Sequence, residues 1–245
     1  MVIMKKILRM DKFLCESLGI SRKEAKELLK KKKVTINGML CTKPESKVSI
    51  QIDHVCMDGS PLCFEEFHYL MLSKPAGVIS ATKDSKDRTV LDLINEPFKD
   101  KLFPVGRLDK DTEGLLLLTD DGELAHNLLS PRKHVEKVYM AKVLGTVGKE
   151  AIMAFQKGVP IGNGEIAKPA KLEILKAGEE ESEILITITE GKFHQVKRMV
   201  HAIGSEVLYL KRLSMGNLVL DEALSKGSYR TLTKDEIIKL KERSC

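Results

Sequence analysis

The sequence predicts an α+β protein, in which a small α/β unit precedes a larger domain built on a mixed, mostly antiparallel sheet. Strand-like runs outnumber helical ones and adjoin one another without regular βαβ alternation, which argues against a doubly wound fold. Positive charge is concentrated at one end: residues 1–47 carry 13 Lys and Arg against 5 Asp and Glu, and the rest of the chain is slightly acidic. Around Glu65-Glu66-Phe67, after an Asp58-Gly59 turn, the texture changes without the Gly/Ser richness of a long flexible linker. The expected domains are therefore residues 8–67 and 68–245.

Composition narrows the class. A chain of 245 residues, 42% hydrophobic and 31% charged, has room for a small and a medium domain and is expected to fold in water. No apolar run approaches the roughly 18 residues of a membrane span, and MVIMKKILRM leads into charge rather than into a signal-peptide core, so secretion is not expected. The cysteines Cys15, Cys41, Cys56, Cys63 and Cys245 are odd in number and lack zinc spacing, which points to reduced thiols, a cytoplasmic location and no metal site. Neither a glycine-rich dinucleotide loop nor a phosphate-binding P-loop is present, and no cofactor is expected.

In the N-terminal unit, Ile7, Leu8, Phe13, Leu14 and Leu18 recur at near-helical spacing, and Gly19 supplies a stop. Ser21 and Glu24 form a capping-box pattern, so a second helix starts at Arg22, with Ala25, Leu28 and Leu29 on one face and basic residues largely on the other. Val34-Thr35-Ile36 runs into Asn37-Gly38, a strong hairpin signal, before Met39-Leu40 returns.

The larger domain opens with a strand at Tyr69–Leu72 and a turn at Ser73–Gly77, followed by a short helical turn over Thr89–Ile94. Glu123–Leu129 reads as a helix stopped by Ser130-Pro131. Residues 137–143 alternate as a strand, with Lys137, Tyr139 and Ala141 on one face. A helix over residues 149–157 ends near Gly158, and Gly162-Asn163-Gly164 is a turn. Ile184, Ile186 and Ile188 are in phase on a β-branched strand that leads through Gly191 to a basic helix start, a place suited to an anion. Val207–Leu210 and Asn217–Leu220 read as strands, and Thr233 with Glu236 caps a C-terminal helix.

The chain is organised around Gly106–Gly122, GRLDKDTEGLLLLTDDG. Asp109 lies between the strand-like Phe103-Pro104-Val105 and the apolar run Leu115–Leu118, whose length suits a strand covered on both faces. A lone Asp in a loop is more often a turn cap than a reacting group. The whole stretch, however, resembles the signature loop of the pseudouridine synthases, in the branch of the small-subunit ribosomal RNA enzymes (the RsuA type) and their large-subunit relatives. Lys168-Pro169-Ala170-Lys171-Leu172-Glu173 resembles a segment of the small-subunit enzymes. R-x-D-K-F-L from Arg9, S-R-x-E-A from Ser21 and V-x-I-N-G from Val34 resemble the S4 RNA-binding module.

The resemblance implies an isomerase that detaches uracil from ribose C1′, turns it and rejoins it through C5, with no cofactor. It makes Asp109 the essential carboxylate and Lys197 the cation beside it in a water-excluding pocket, with Arg198 as the alternative. Tyr139 is expected to stack on uracil and to take part in removing the C5 proton. Ile188 is expected to lie beneath the base, and Arg107 to help displace it from its stack. Thr112 and Gln195 complete the expected substrate-binding set, and no histidine is given a catalytic role. Arg9, Lys12, Arg22, Lys23, Lys26 and Lys30 are the expected RNA contacts, although charge alone fits a solvated helix face equally well. The implied partner is ribosomal RNA or a small-subunit assembly particle, met by a monomer. A non-catalytic assembly factor and an Asp-dependent hydrolase are the competing classes. The first would need no acid and cation pair, and the second lacks a second carboxylate or a histidine at identifiable spacing.

Overall fold

The structure, a computed structural model, describes residues 7–242 except 51, 63 and 65. Cys63, Cys245 and Glu65 therefore lie outside the described residues. The chain divides into two compact units between Phe67 and His68, each with its own core.

The first unit runs β1 (Ile7–Arg9), α1 (Met10–Leu18), α2 (Arg22–Lys30), β2 (Val34–Ile36), β3 (Met39–Leu40), β4 (Lys47–Ser49), β5 (Val55–Met57) and β6 (Ser60–Pro61). Phe13, Leu14, Ala25, Leu29, Val34 and Val48 form its buried centre. Gly19 ends α1 in the left-handed conformation, φ 66°, and the Ser21–Glu24 capping box opens α2. Asn37 and Gly38 take the positive φ values that the β2–β3 turn needs. One expectation is corrected: Ile7–Arg9 is not helical but pairs antiparallel with β4. Its burial alternates, with only Leu8 inside, so a strand partner about 40 residues away overrides the local helical spacing.

The second unit contains β7 (Tyr69–Lys74), β8 (Phe103–Pro104), β9 (Glu113–Thr119), α3 (Gly122–Leu129), β10 (Lys137–Leu144), α4 (Lys149–Lys157), β11 (Lys171–Lys176), β12 (Glu181–Ile188), α5 (Gln195–Ala202), β13 (Val207–Met215), β14 (Leu218–Val219), β15 (Tyr229–Thr231) and α6 (Lys234–Glu242). The sheet order is β11-β12-β10-β13-β9-β7-β15, with β14 on β13 and β8 on β9. Every pairing in it is antiparallel except β13 with β9. All seven residues of β9 are buried, as its run of leucines requires. The strands β4, β5, β6, β11 and β15 and the second half of β13 are additions to the sequence reading. They are short or charged segments whose extended form depends on a neighbouring strand rather than on their own pattern.

The parallel pairing is only two residues long, Lys211 with Glu113 and Arg212 with Gly114. It is the seam between two antiparallel halves of the sheet. Gly114 sits there at φ +102°, and a Cβ would overlap the backbone of Arg212, so glycine permits the approach. The Asp109 loop ends where this seam begins.

Candidate active site

The loop from Gly106 to Thr112 is clamped at several points. The Ser80 hydroxyl donates to the Leu108 carbonyl at 2.9 Å and accepts from the Leu108 amide at 3.0 Å. Lys74, wholly buried at the end of β7, donates to the carbonyls of Asp109 at 3.0 Å and Thr112 at 2.8 Å. Burial pushes its ammonium down to about 8, against the opposing pull of Asp111, Asp109 and Glu113. The Asp109 backbone is therefore held from beneath, while its side chain remains 29% exposed at the surface of a cleft.

The cleft has two adjoining parts. One is a slot lined by Asp109, Thr112, Tyr139, Ile188, Lys197 and Leu210. Tyr139 and Ile188 reach it from β10 and β12, where Lys137 pairs with Ile188 and Tyr139 with Ile186. Both side chains are buried. Thr112 is also buried, and its hydroxyl has no hydrogen-bond partner. The other part is a cavity of about 710 Å³ that runs past Arg107, Lys137, Phe193 and Arg212.

On the cationic side the structure separates the two candidate cations and leaves the expected pair open to water. Lys197, on the first turn of α5, lies 3.7 Å from Asp109 Oδ2, but its short contacts are to Asp111, at 2.6 Å from both carboxylate oxygens. Lys197 is 26% exposed, so the pair with Asp109 is neither tight nor sealed from water. The Lys197 hydrogen bond holds the Asp111 carboxyl below the ordinary carboxylate range. Arg198, the alternative, turns away: it donates to the Ile161 and Gly162 carbonyls and pairs with Glu165 at 2.8 Å. Successive residues at a helix start point about 100° apart, so only one can face the acid.

Gln195 also lines the slot. In the turn before α5 its amide accepts from the Lys192 amide at 2.8 Å and donates to Glu190 at 2.8 Å. Arg107 is exposed at the rim of both parts. Sequence reasoning passed over His194, whose Nε2 lies 3.6 Å from Asp109 Oδ1 and whose ring stacks on the exposed Phe193 at 3.8 Å. Its φ of 47° turns the chain into α5, and no motif announced this. In the N-terminal unit, Arg22, Lys23, Lys26 and Lys30 are exposed along α2. Arg9 is tied to Asp11 by two hydrogen bonds, at 3.0 and 2.9 Å, and Lys12 to Glu16 at 3.6 Å. These two cations are partly neutralised.

Residues 68–202 match the family model for RNA pseudouridylate synthase, and residues 8–51 match that for the S4 domain. The chain belongs to the RNA pseudouridylate synthase family. It is 48% identical over 236 residues to an uncharacterized RNA pseudouridine synthase of Bacillus subtilis, YtzG, with 96% of this chain and 99% of that protein covered. It is 40% identical to the ribosomal small subunit pseudouridine synthase A of Haemophilus influenzae, over 95% of this chain and 99% of that one, and equally to the Escherichia coli enzyme, over 94% and 98%. A crystal structure of a pseudouridylate synthase superposes with a TM-score of 0.67 at 39% identity, covering 95% of this chain and 99% of that chain. As a pseudouridylate synthase, the chain is an isomerase. Among the described residues no helix is long and apolar enough to cross a membrane.

Proposed function

We propose that this pseudouridine synthase isomerises one uridine of small-subunit (16S) ribosomal RNA, acting in the cytoplasm. The observation that carries the chemistry is the slot in which the Asp109 carboxylate faces Tyr139 and Ile188. A uracil in this slot lies between the Tyr139 ring and Ile188, with its ribose C1′ towards Asp109. The carboxylate meets the positive charge that develops at C1′ as the glycosidic bond breaks, whether as nucleophile or as base. Lys197 Nζ lies 3.7 Å and His194 Nε2 3.6 Å from the Asp109 carboxylate, at the mouth of the reacting group. Tyr139 stacks on the detached base while it turns, and its hydroxyl takes or relays the C5 proton after reattachment. Arg107, at the rim, fills the space from which the target base is displaced. Residues 8–67 serve as the RNA-binding unit and residues 68–245 as the catalytic one, with the α2 cations against phosphates.

The choice of small-subunit RNA is supported by the names of the Haemophilus and Escherichia relatives and by the Lys168–Glu173 segment. Reverse-transcription mapping of pseudouridine across both large ribosomal RNAs, in cells with and without the gene, tests it. The expected result is one site lost from 16S RNA, restored by the wild-type gene but not by Asp109→Asn. Loss of a 23S site instead would move the substrate to the large subunit. Loss of none would return the chain to the class of binding factors.

A further inference from the structure

The larger part of the cleft holds two buried cations that the reaction described above does not use. Lys137 is 7% exposed and Arg212 2%, and both line the 710 Å³ cavity beside Tyr139. Their placement relative to the base slot is set by the sheet. Lys137 is two residues before Tyr139 on β10 and shares its face, while Arg212 lies directly across from Tyr139 on β13.

Neither cation has an acidic partner among the described residues. The Lys137 ammonium donates to the Val135 carbonyl at 2.9 Å, and Arg212 Nε to the Leu115 carbonyl at 2.8 Å. Arg212 Nη2 is buried with no hydrogen-bond partner. Of the two carboxylates on the cavity wall, Glu190 is committed to the Lys168 amide and to Gln195, and Asp109 lies beside Lys197 at 3.7 Å and His194 at 3.6 Å. Burial and then the nearby Arg212 push the Lys137 ammonium down to about 8. Two like charges buried without a counter-ion are unfavourable, and apolar residues of similar volume would be more stable there. A fold that keeps them has a use for an anion at that place.

We propose that Lys137 and Arg212 bind the phosphodiester adjoining the target uridine, so that the strand is held by its phosphate while the base is worked on in the neighbouring slot. The inference rests on the reading of the Asp109 slot as a uridine site, because the anion of such a substrate is its phosphate. The cavity is of a size that holds a nucleotide, and a guanidinium with a free Nη2 beside an ammonium suits phosphate oxygens. The two cations would act as binding residues, with no part in bond making.

The test uses the full chain and two probes, uridine and uridine 3′,5′-bisphosphate, titrated by NMR at low ionic strength. The wild type should bind the bisphosphate at least about tenfold more tightly than uridine. Lys137→Met should abolish most of that preference, leave uridine binding unchanged and melt no lower than the wild type, because it removes a buried unpaired charge. Arg212→Lys, which keeps a cation but not the fork, should lose part of the preference. Equal binding of the two probes by the wild type, or binding of neither, overturns the proposal. So does a Lys137→Met protein that keeps the preference, whether or not it melts lower. Conversion of ribosomal RNA by a wild type that does not prefer the bisphosphate removes the phosphate seat alone. A bisphosphate preference lost in Lys137→Met, without any conversion, removes the isomerase reading and leaves the seat.

Discussion

Lys197 Nζ lies 2.6 Å from both carboxylate oxygens of Asp111 and 3.7 Å from Oδ2 of Asp109. One ammonium thus serves two carboxylates two residues apart, and the more exposed of them has the shorter contact. Removing it should impair catalysis far more than folding. Lys197→Met is expected to slow conversion by about 100-fold or more, as loss of an electrostatic group in an active site does. Its unfolding free energy should fall by less than about 1 kcal/mol, because these pairs are solvated. Asp111→Asn should stay within a few-fold of wild-type rate. An Asp111→Asn protein as inactive as Lys197→Met would show that the lysine works through Asp111.

Tyr139→Phe keeps the ring and removes the hydroxyl. Stacking of a base on the ring is worth about 1–3 kcal/mol, so binding of RNA should survive while net conversion of uridine fails. RNA containing 5-fluorouridine should still be rearranged or trapped, because glycosidic cleavage precedes the step that needs the hydroxyl. Leucine at 139 should weaken engagement of the base and slow both processes. Wild-type conversion by Tyr139→Phe, followed by tritium release from C5-labelled RNA, would assign the proton to another group or to water.

Deleting residues 1–67 removes the basic segment and leaves a unit with its own core. The remainder should fold, bind ribosomal RNA more weakly and show a flatter dependence of log Kd on log salt, since the slope counts phosphates neutralised. An unchanged slope would reduce the α2 cations to a solvated helix face.

Gly114 is expected to tolerate no side chain. Its φ of +102° is strained for any L residue, and a Cβ would overlap the Arg212 carbonyl oxygen and amide nitrogen. Gly114→Ala should therefore lower the unfolding free energy by more than about 2 kcal/mol and impair conversion by moving the Asp109 loop. A melting temperature equal to that of the wild type would show that the seam between β9 and β13 can open freely.

What the sequence determined by itself were the features written in short-range chemistry. The Ser21–Glu24 capping box, the Asn37-Gly38 turn, the buried run of β9 and the alternation that puts Tyr139 on one face with Lys137 and Ala141 all depend on neighbours within a few residues. The ordered motif around Asp109 belongs with them. Only the tertiary structure decided which cation faces the acid, that Gln195 is hydrogen-bonded in a turn, that His194 approaches Asp109, and that Lys137 and Arg212 lie buried without acidic partners. Lys197 meets Asp111 across 86 residues of chain, and Arg212 meets Leu115 across 97. The physical reason is that such contacts are set by sheet order and register. A pattern of residues along the chain records the period of each strand but not its partner.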